Sequence, residues 1–208
     1  GYIHLLDRDF ARAMPLLIKA ARLDTDIFYK KELARAYLDQ DRWEEAEQWF
    51  KRALADGAED DELLLGLYAA SFHQGKYAAA ENLLRRVLKL TPQFCQARAY
   101  LGEVLLLARP DEALVELRRV KREVDEGSGE EPERRVEPVG ALEWLLGFGC
   151  LLAGERREAA VWFDKALRLA PDLADWCPEL KALVLEKLPG TPKLPAKLAR
   201  AVAERMRA

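Results

Sequence analysis

Apolar positions in this chain recur at helical spacing, and the same pattern occurs five times. Each copy has a small residue, a large apolar residue four positions later, and a small or β-branched residue three positions after that. The three sets are Ala13, Ala46, Ala80, Ala113 and Ala159, then Leu17, Phe50, Leu84, Leu117 and Phe163, then Ala20, Ala53, Val87, Val120 and Ala166. Spacings of three and four residues form one face of a helix. The pattern therefore predicts five helices that bury this face, and we call these fifteen residues the anchors.

The copies follow one period with a single interruption. Their alanine anchors are 33, 34, 33 and 46 residues apart. Proline at 92 and 171 ends a copy and lets the next helix begin. A second helical stretch precedes the alanine anchors, and in it Ala34, Gly102 and Gly147 are small enough for two helices to approach closely. The sequence therefore predicts a series of helix pairs with an insertion in the fourth interval.

On these anchors and this period, the chain resembles the tetratricopeptide repeat (TPR) family. The resemblance covers residues 1–172 and implies an all-α fold, a right-handed superhelical solenoid of antiparallel helix pairs. The implied repeats are 1–26, which lacks half of its first helix, then 27–60, 61–94, 95–125 and 140–172.

Two segments lie outside this register. The insertion, residues 124–139, is charged and contains Gly and Pro, so it buries too little surface to fold alone. We expect a mobile loop there, or a lengthened pair of helices that meet at 127–129. Residues 173–208 predict C-terminal capping helices, the last of which has an apolar stripe and a basic remainder. The stripe is expected to dock on the last repeat. The alternative is a basic amphipathic helix for a membrane surface or an acidic partner.

The register places residues 1–4 in the middle of a first helix. A repeat that lacks half of this helix leaves an apolar face uncovered, and solenoids normally cap such a face. We therefore expect the native protein to extend further at its N-terminus. The expected location is cytoplasmic, or periplasmic if an N-terminal signal is missing.

Charge and cysteine usage exclude several classes of protein. The 208 residues include 33 Lys and Arg against 36 Asp and Glu, a net charge of −3, so the chain has no general attraction for nucleic acid or anionic lipid. Three cysteines, Cys95, Cys150 and Cys177, are widely spaced and indicate neither a disulfide framework nor a zinc site. The bias towards Arg, Leu, Ala and Glu suggests a bacterial source.

Residues suited to catalysis are scarce. The only histidines are His4 and His73, and the only serines are Ser71 and Ser128, neither of which lies in a nucleophile motif. The glycine after Gly149 comes at Gly154, too far along for a dinucleotide-binding motif. We therefore expect no catalytic residue, no metal and no cofactor.

The remaining candidate for a functional site is a binding surface. In proteins that resemble this family, first helices line a concave groove that holds an extended peptide or a helix. We predict the groove from the side of each first helix that faces away from its paired helix. The predicted residues are Phe28, Lys31, Arg35, Leu65, Ala69, Phe72, His73, Glu103, Leu106, Trp144 and Phe148.

This groove indicates a non-catalytic scaffold that binds an apolar or amphipathic segment of a partner protein. Lys31 and Arg35 are expected to meet acidic flanks of that segment. The family's carboxylate clamp is not supported, because Arg35 and Ala69 stand where its asparagines would be. Two alternatives stay open: a docking or sensory region of a longer regulator or enzyme, and a component of secretion, pilus or envelope assembly.

Overall fold

The structure, a computed structural model, describes residues 10–23, 27–57, 60–106, 108–126 and 140–170. Within these ranges all the regular elements are helices, so the all-α prediction is confirmed there. They are α1 (Phe10–Leu23), α2 (Ile27–Leu38), α3 (Trp43–Asp56), α4 (Asp61–His73), α5 (Tyr77–Leu90), α6 (Cys95–Leu105), α7 (Pro110–Asp125), α8 (Ala141–Leu152) and α9 (Arg156–Leu169). The predicted cap at 173–208 and most of the insertion lie outside the described residues.

The chain divides into two compact units, residues 1–92 and 93–208. In unit 1, α2 pairs with α3 and α4 pairs with α5, while α1 packs on α2 and α3 packs on α4. The first helices α2 and α4 also contact each other directly. Their exposed faces are therefore neighbours on the surface of unit 1.

Unit 2 repeats this arrangement with two pairs. Helix α6 pairs with α7 and α8 pairs with α9, while α7 packs on α8 and links the pairs. Helix α7 continues to Asp125, which is two residues into the predicted insertion. The turn between α8 and α9 contains Gly154 with φ of +84°, a left-handed conformation that glycine adopts without strain.

The anchors form the core of each unit. All five alanines and all five large apolar anchors are at most 2% exposed. The third set is equally buried at Ala53, Val87, Val120 and Ala166. In α1 the neighbouring Ala21 is buried, and the predicted anchor Ala20 is only half-buried. The periodic pattern therefore identified the buried face of every second helix, with this one shift.

Two glycines allow the paired helices of unit 2 to touch. A Cβ atom on Gly102 would lie 2.6 Å from Leu117, and one on Gly147 would lie 2.6 Å from Phe163. Each large anchor thus packs on the backbone of the first helix of its pair, which confirms the close approach predicted from these small residues.

Helix α8 is buried along almost its whole length. Every residue from Leu142 to Leu151 is buried. Its charged residue Glu143 lies 3.5 Å from the Nζ atom of Lys121 on α7. Among the described residues, no helix is both long and apolar enough to cross a membrane.

Candidate functional site

Ion pairs join the first helices of unit 1. The Nζ atom of Lys31 lies 2.6 Å from Oε2 of Glu62, and Nη1 of Arg35 lies 2.9 Å from Oε1 of the same carboxylate. Glu62 belongs to the first turn of α4, where the helix dipole also favours a negative charge. One carboxylate of α4 is therefore shared by two basic residues of α2.

These pairs change the predicted charge of the surface. Two carboxylates, Glu62 and Glu32, accompany the two bases Lys31 and Arg35, so the network as a whole carries no net charge. Arg35 also lies 3.6 Å from Glu32 within α2. The basic end predicted from the sequence is thus a mixed ion-pair network whose side chains of Arg35 and Glu62 are about half exposed.

An aromatic cluster closes the end of α4. The ring of His73 stacks on Trp43 with centroids 4.2 Å apart, and Phe72 makes edge contacts at 5.7 Å with both His73 and Tyr77. Tyr68 lies 5.8 Å from Phe72 on the same helix. Desolvation lowers the pKa of His73, and the nearby charge of Asp41 opposes this shift only partly. His73 is therefore a neutral aromatic ring at neutral pH.

Sequence reasoning missed two members of this cluster. Trp43 and Tyr77 begin the second helices α3 and α5, so a search confined to first helices passes over them. A signal was available, because each of these aromatics stands three residues before an alanine anchor. Trp43 lies beside the end of the first helix that follows it, and Tyr77 lies beside the end of the first helix that precedes it.

All the predicted residues of unit 1 keep part of their area accessible. Phe28, Arg35 and His73 are exposed, while the others keep part of their area accessible. We call this set the unit 1 surface; it consists of Phe28, Lys31, Arg35, Leu65, Ala69, Phe72 and His73.

In unit 2, three of the predicted groove residues lie in the interior. Leu106 and Phe148 are at most 3% exposed, and Trp144 is 7% exposed. The rings of Trp144, Phe148 and Phe163 pack edge to face with centroids 5.2–5.4 Å apart. Only Glu103 of the predicted set in this unit keeps part of its side chain accessible.

A second cluster, in unit 2, has the residue types of a metal site. Possible ligand atoms of Cys150, Glu155 and Glu158 lie within 4.8 Å of one another. The Nη2 atom of Arg118, however, lies 2.5 Å from Glu155 and 3.0 Å from Glu158. Burial raises the pKa of the Cys150 thiol to about 12, so the thiol stays protonated. This arrangement is an ion-pair network that ties α7 to the start of α9, with Arg118 as its cation.

The other residues considered for catalysis are also structural. Ser71 is buried inside α4. The buried thiol of Cys95 lies 3.4 Å from the carboxylate of Glu123 on α7. Asp60 accepts a hydrogen bond from the backbone N–H of Leu63 at 2.7 Å and caps α4.

Comparison with known proteins agrees with this architecture. A family model described as tetratricopeptide repeat matches residues 31–65, which include most of α2, all of α3 and the start of α4. Among curated proteins, the sequence has no match.

Solved structures share the fold over most of the chain. One is YrrB, described as a TPR protein with an unusual peptide-binding site, at a TM-score of 0.68 and 23% identity, covering 90% of this chain and 88% of YrrB. Another is a MamA protein, at a TM-score of 0.68 and 20% identity, covering 92% and 94%. MamA from Desulfovibrio magneticus RS-1 aligns at a TM-score of 0.64 and 20% identity, covering 86% and 93%.

At these identities the neighbours establish the fold, an all-α solenoid of the TPR type. Proteins of this type generally act as interaction scaffolds for other proteins. The recurring anchors and the helix pairs agree with the match of the family model: residues 31–65 match the tetratricopeptide repeat, and the chain is similar to TPR proteins in fold.

Proposed function

We propose that the protein is a non-catalytic scaffold whose unit 1 surface binds an apolar or amphipathic segment of a partner protein. The observation that carries the proposal is the bridge from Lys31 and Arg35 to Glu62. Because it holds α2 and α4 side by side, the accessible residues of the two helices form one continuous binding surface rather than two separate patches.

The apolar part of this surface suits side chains of a partner segment. Phe28 is 40% exposed, and Leu65, Ala69 and Phe72 are half-buried. A half-buried aromatic ring provides contact area at a small cost in side-chain entropy, which is why aromatic residues dominate the energy of many interfaces. The contacts of Phe72 with His73 and Tyr77 hold its ring in place before a ligand arrives.

The charged part favours an acidic flank on the segment. Lys31 and Arg35 pair with Glu62, Arg35 also lies 3.6 Å from Glu32, and the side chains of Arg35 and Glu62 are about half exposed. A carboxylate on the partner can share Arg35 with Glu62, since guanidinium offers several donors. YrrB is described as having a peptide-binding site, which supports peptide recognition as a use of this fold.

Substitution of Phe72 by alanine tests the proposal. A partner segment identified by cross-linking to the full-length protein is synthesised, and its affinity is measured by isothermal titration calorimetry. We expect Phe72→Ala to weaken binding by about tenfold or more, because it removes the central ring of the surface. Phe28→Ala is expected to weaken binding by a smaller factor.

Leu90 supplies a matched control. It is an exposed apolar residue of unit 1, but it lies at the end of the second helix α5. Leu90→Ala should bind the segment with wild-type affinity, and circular dichroism should show unchanged helix content in all variants. Wild-type binding by both Phe72→Ala and Phe28→Ala would contradict the proposal.

A further inference from the structure

Among the residues of unit 2 that the structure describes, Glu103 is a carboxylate without a counter-charge. It lies on α6 directly after Gly102, which packs on Leu117 of the paired helix. Within the described residues it makes no hydrogen bond or ion pair through its side chain. Part of the side chain stays accessible.

The other part-buried carboxylates around α6 already have partners. Glu116 and Glu123 on α7 lie 3.2 and 3.7 Å from the guanidinium of Arg98. Glu143, the charged residue of α8, lies 3.5 Å from Lys121. Arg98 and Lys121 are therefore paired with acids other than Glu103.

The repeat register explains why Glu103 lacks a counter-charge among the described residues. Arg35, Ala69 and Glu103 are 34 residues apart and occupy the same place on successive first helices. Arg35 finds its counter-charge in Glu62, in the first turn of the next first helix. The corresponding turn of α8 begins with Ala141 and Leu142, and α8 contains no basic residue. The position that would neutralise Glu103 is thus apolar.

A desolvated carboxylate without a counter-charge favours the binding of a cation. Removal of water disfavours its ionised form, and a nearby positive charge offsets this cost. Desolvation raises the pKa of Glu103 to about 7, although part of the side chain is accessible. A basic side chain that hydrogen-bonds the carboxylate would restore the ionised form and gain a strong, charge-assisted contact.

We infer that Glu103 is a recognition residue for a lysine or arginine side chain of the bound partner protein. It acts in unit 2, apart from the unit 1 surface, and it adds a basic residue to the description of the partner. The inference rests on the proposed function in one respect only, namely that the cation belongs to a protein segment.

A peptide array tests this preference. Peptides of random sequence are probed with the labelled full-length protein, with Glu103→Gln, and with Glu126→Gln as the control at an exposed carboxylate of the same unit. We expect wild-type binders to be enriched in Lys or Arg at one position, Glu126→Gln to behave like the wild type, and Glu103→Gln to lose the enrichment. The best basic peptide should bind Glu103→Gln about tenfold more weakly.

A small probe tests Glu103 without any peptide. Acetyl-arginine methylamide is titrated into protein labelled with carbon-13, and the pKa of Glu103 is followed by NMR of its carboxyl carbon. The arginine probe should lower this pKa, and the neutral acetyl-citrulline methylamide should not. If both probes leave the pKa unchanged and the array shows no basic preference, the inference is overturned.

The outcomes separate the inference from the proposed function. Peptides whose binding depends on Phe72 but not on Glu103 would overturn the inference and leave the proposed function intact. If no array peptide binds, the proposed function fails, and the arginine titration alone decides the role of Glu103.

Basic residues of the chain itself provide the last outcome. To test them, a variant of the full-length protein is prepared in which glutamine replaces the following basic residues: Arg134, Arg135, Lys193, Lys197, Arg200, Arg205 and Arg207. If these substitutions change the pKa of Glu103 without any probe, the cation comes from this chain, and the inference of a partner's side chain is overturned.

Discussion

At the scale of single residues, two carboxylates show how partners decide a pKa. Burial alone would raise the pKa of Glu47, but hydrogen bonds from Lys51, Lys76 and Gln74 at 2.5–2.9 Å outweigh it and lower the pKa to about 2. Glu103 has no such donors among the residues that the structure describes, and desolvation raises its pKa to about 7. The two side chains are chemically identical, and their neighbours determine whether the pKa is raised or lowered.

Glu47 should stabilise the fold at neutral pH and lose this effect in acid. Its folded pKa lies below the value of 4.5 for a free glutamate, so its contribution is present above pH 4.5 and is lost as the pH falls towards 2. We expect Glu47→Gln to lower the free energy of unfolding at pH 7 by on the order of 2 kcal/mol, and by much less near pH 3. Urea unfolding followed by circular dichroism measures both values.

The neighbouring Glu44 is the control for this measurement, because it is exposed on the same helix. Glu44→Gln should change the unfolding free energy by less than about 0.5 kcal/mol at either pH. Equal losses for the two variants at both pH values would contradict the role assigned to Glu47.

Glu103 should have the opposite effect on stability. Its folded pKa is raised, so its contribution is present below pH 4.5 and is lost as the pH rises through about 7. Glu103→Gln removes the cost of a desolvated charge, and we expect it to stabilise the protein at pH 8 by on the order of 1 kcal/mol. Urea unfolding at pH 5 and pH 8 checks this, and a variant less stable than the wild type at pH 8 would disprove it.

At the scale of the elements, the difference between α4 and α8 decides what periodicity can predict. Helix α4 exposes Glu62 and His73 while it buries Leu63, Leu64 and Leu67, so its faces differ. Helix α8 is apolar on every side, and such a helix gives no indication of which face points outward. The pattern therefore predicted the accessible residues of α4 well and placed Trp144 and Phe148 in a groove although they are buried.

The contact between Gly147 and Phe163 gives a test at this scale. A Cβ atom at Gly147 would lie 2.6 Å from the ring of a buried anchor, which has little room to move. Gly147→Ala should lower the unfolding free energy by about 1–3 kcal/mol in spite of the better helix propensity of alanine. Thermal or urea unfolding provides the measurement.

A second background isolates the clash. In Phe163→Val the ring is absent, so Gly147→Ala should there be neutral or stabilising, since only its helix propensity remains. An equal loss in both backgrounds would show that the glycine is required for another reason.

At the scale of the whole molecule, the repeat explains more than any single motif. Five copies of one anchor pattern predicted the helix pairs, the all-α fold and the family. The anchors were predictable because each buries the same face against its own paired helix, a local arrangement that recurs in every repeat. The repeat register does not predict the boundary between the two compact units, which falls between Pro92 and Gln93. Proline occupies the same register position at residue 171, where no such boundary occurs.

The sequence by itself therefore determined the helices, their pairing and their buried faces, because these depend on spacings of three and four residues within one stretch of chain. Only the tertiary structure decided the charges and the accessible surface. Glu62 pairs with Lys31 and Arg35 across 31 and 27 residues, Glu103 has no counter-charge among the described residues, and Trp144 packs on Phe163 in the interior. These outcomes depend on which side chains of different helices meet, and packing between helices brings them together.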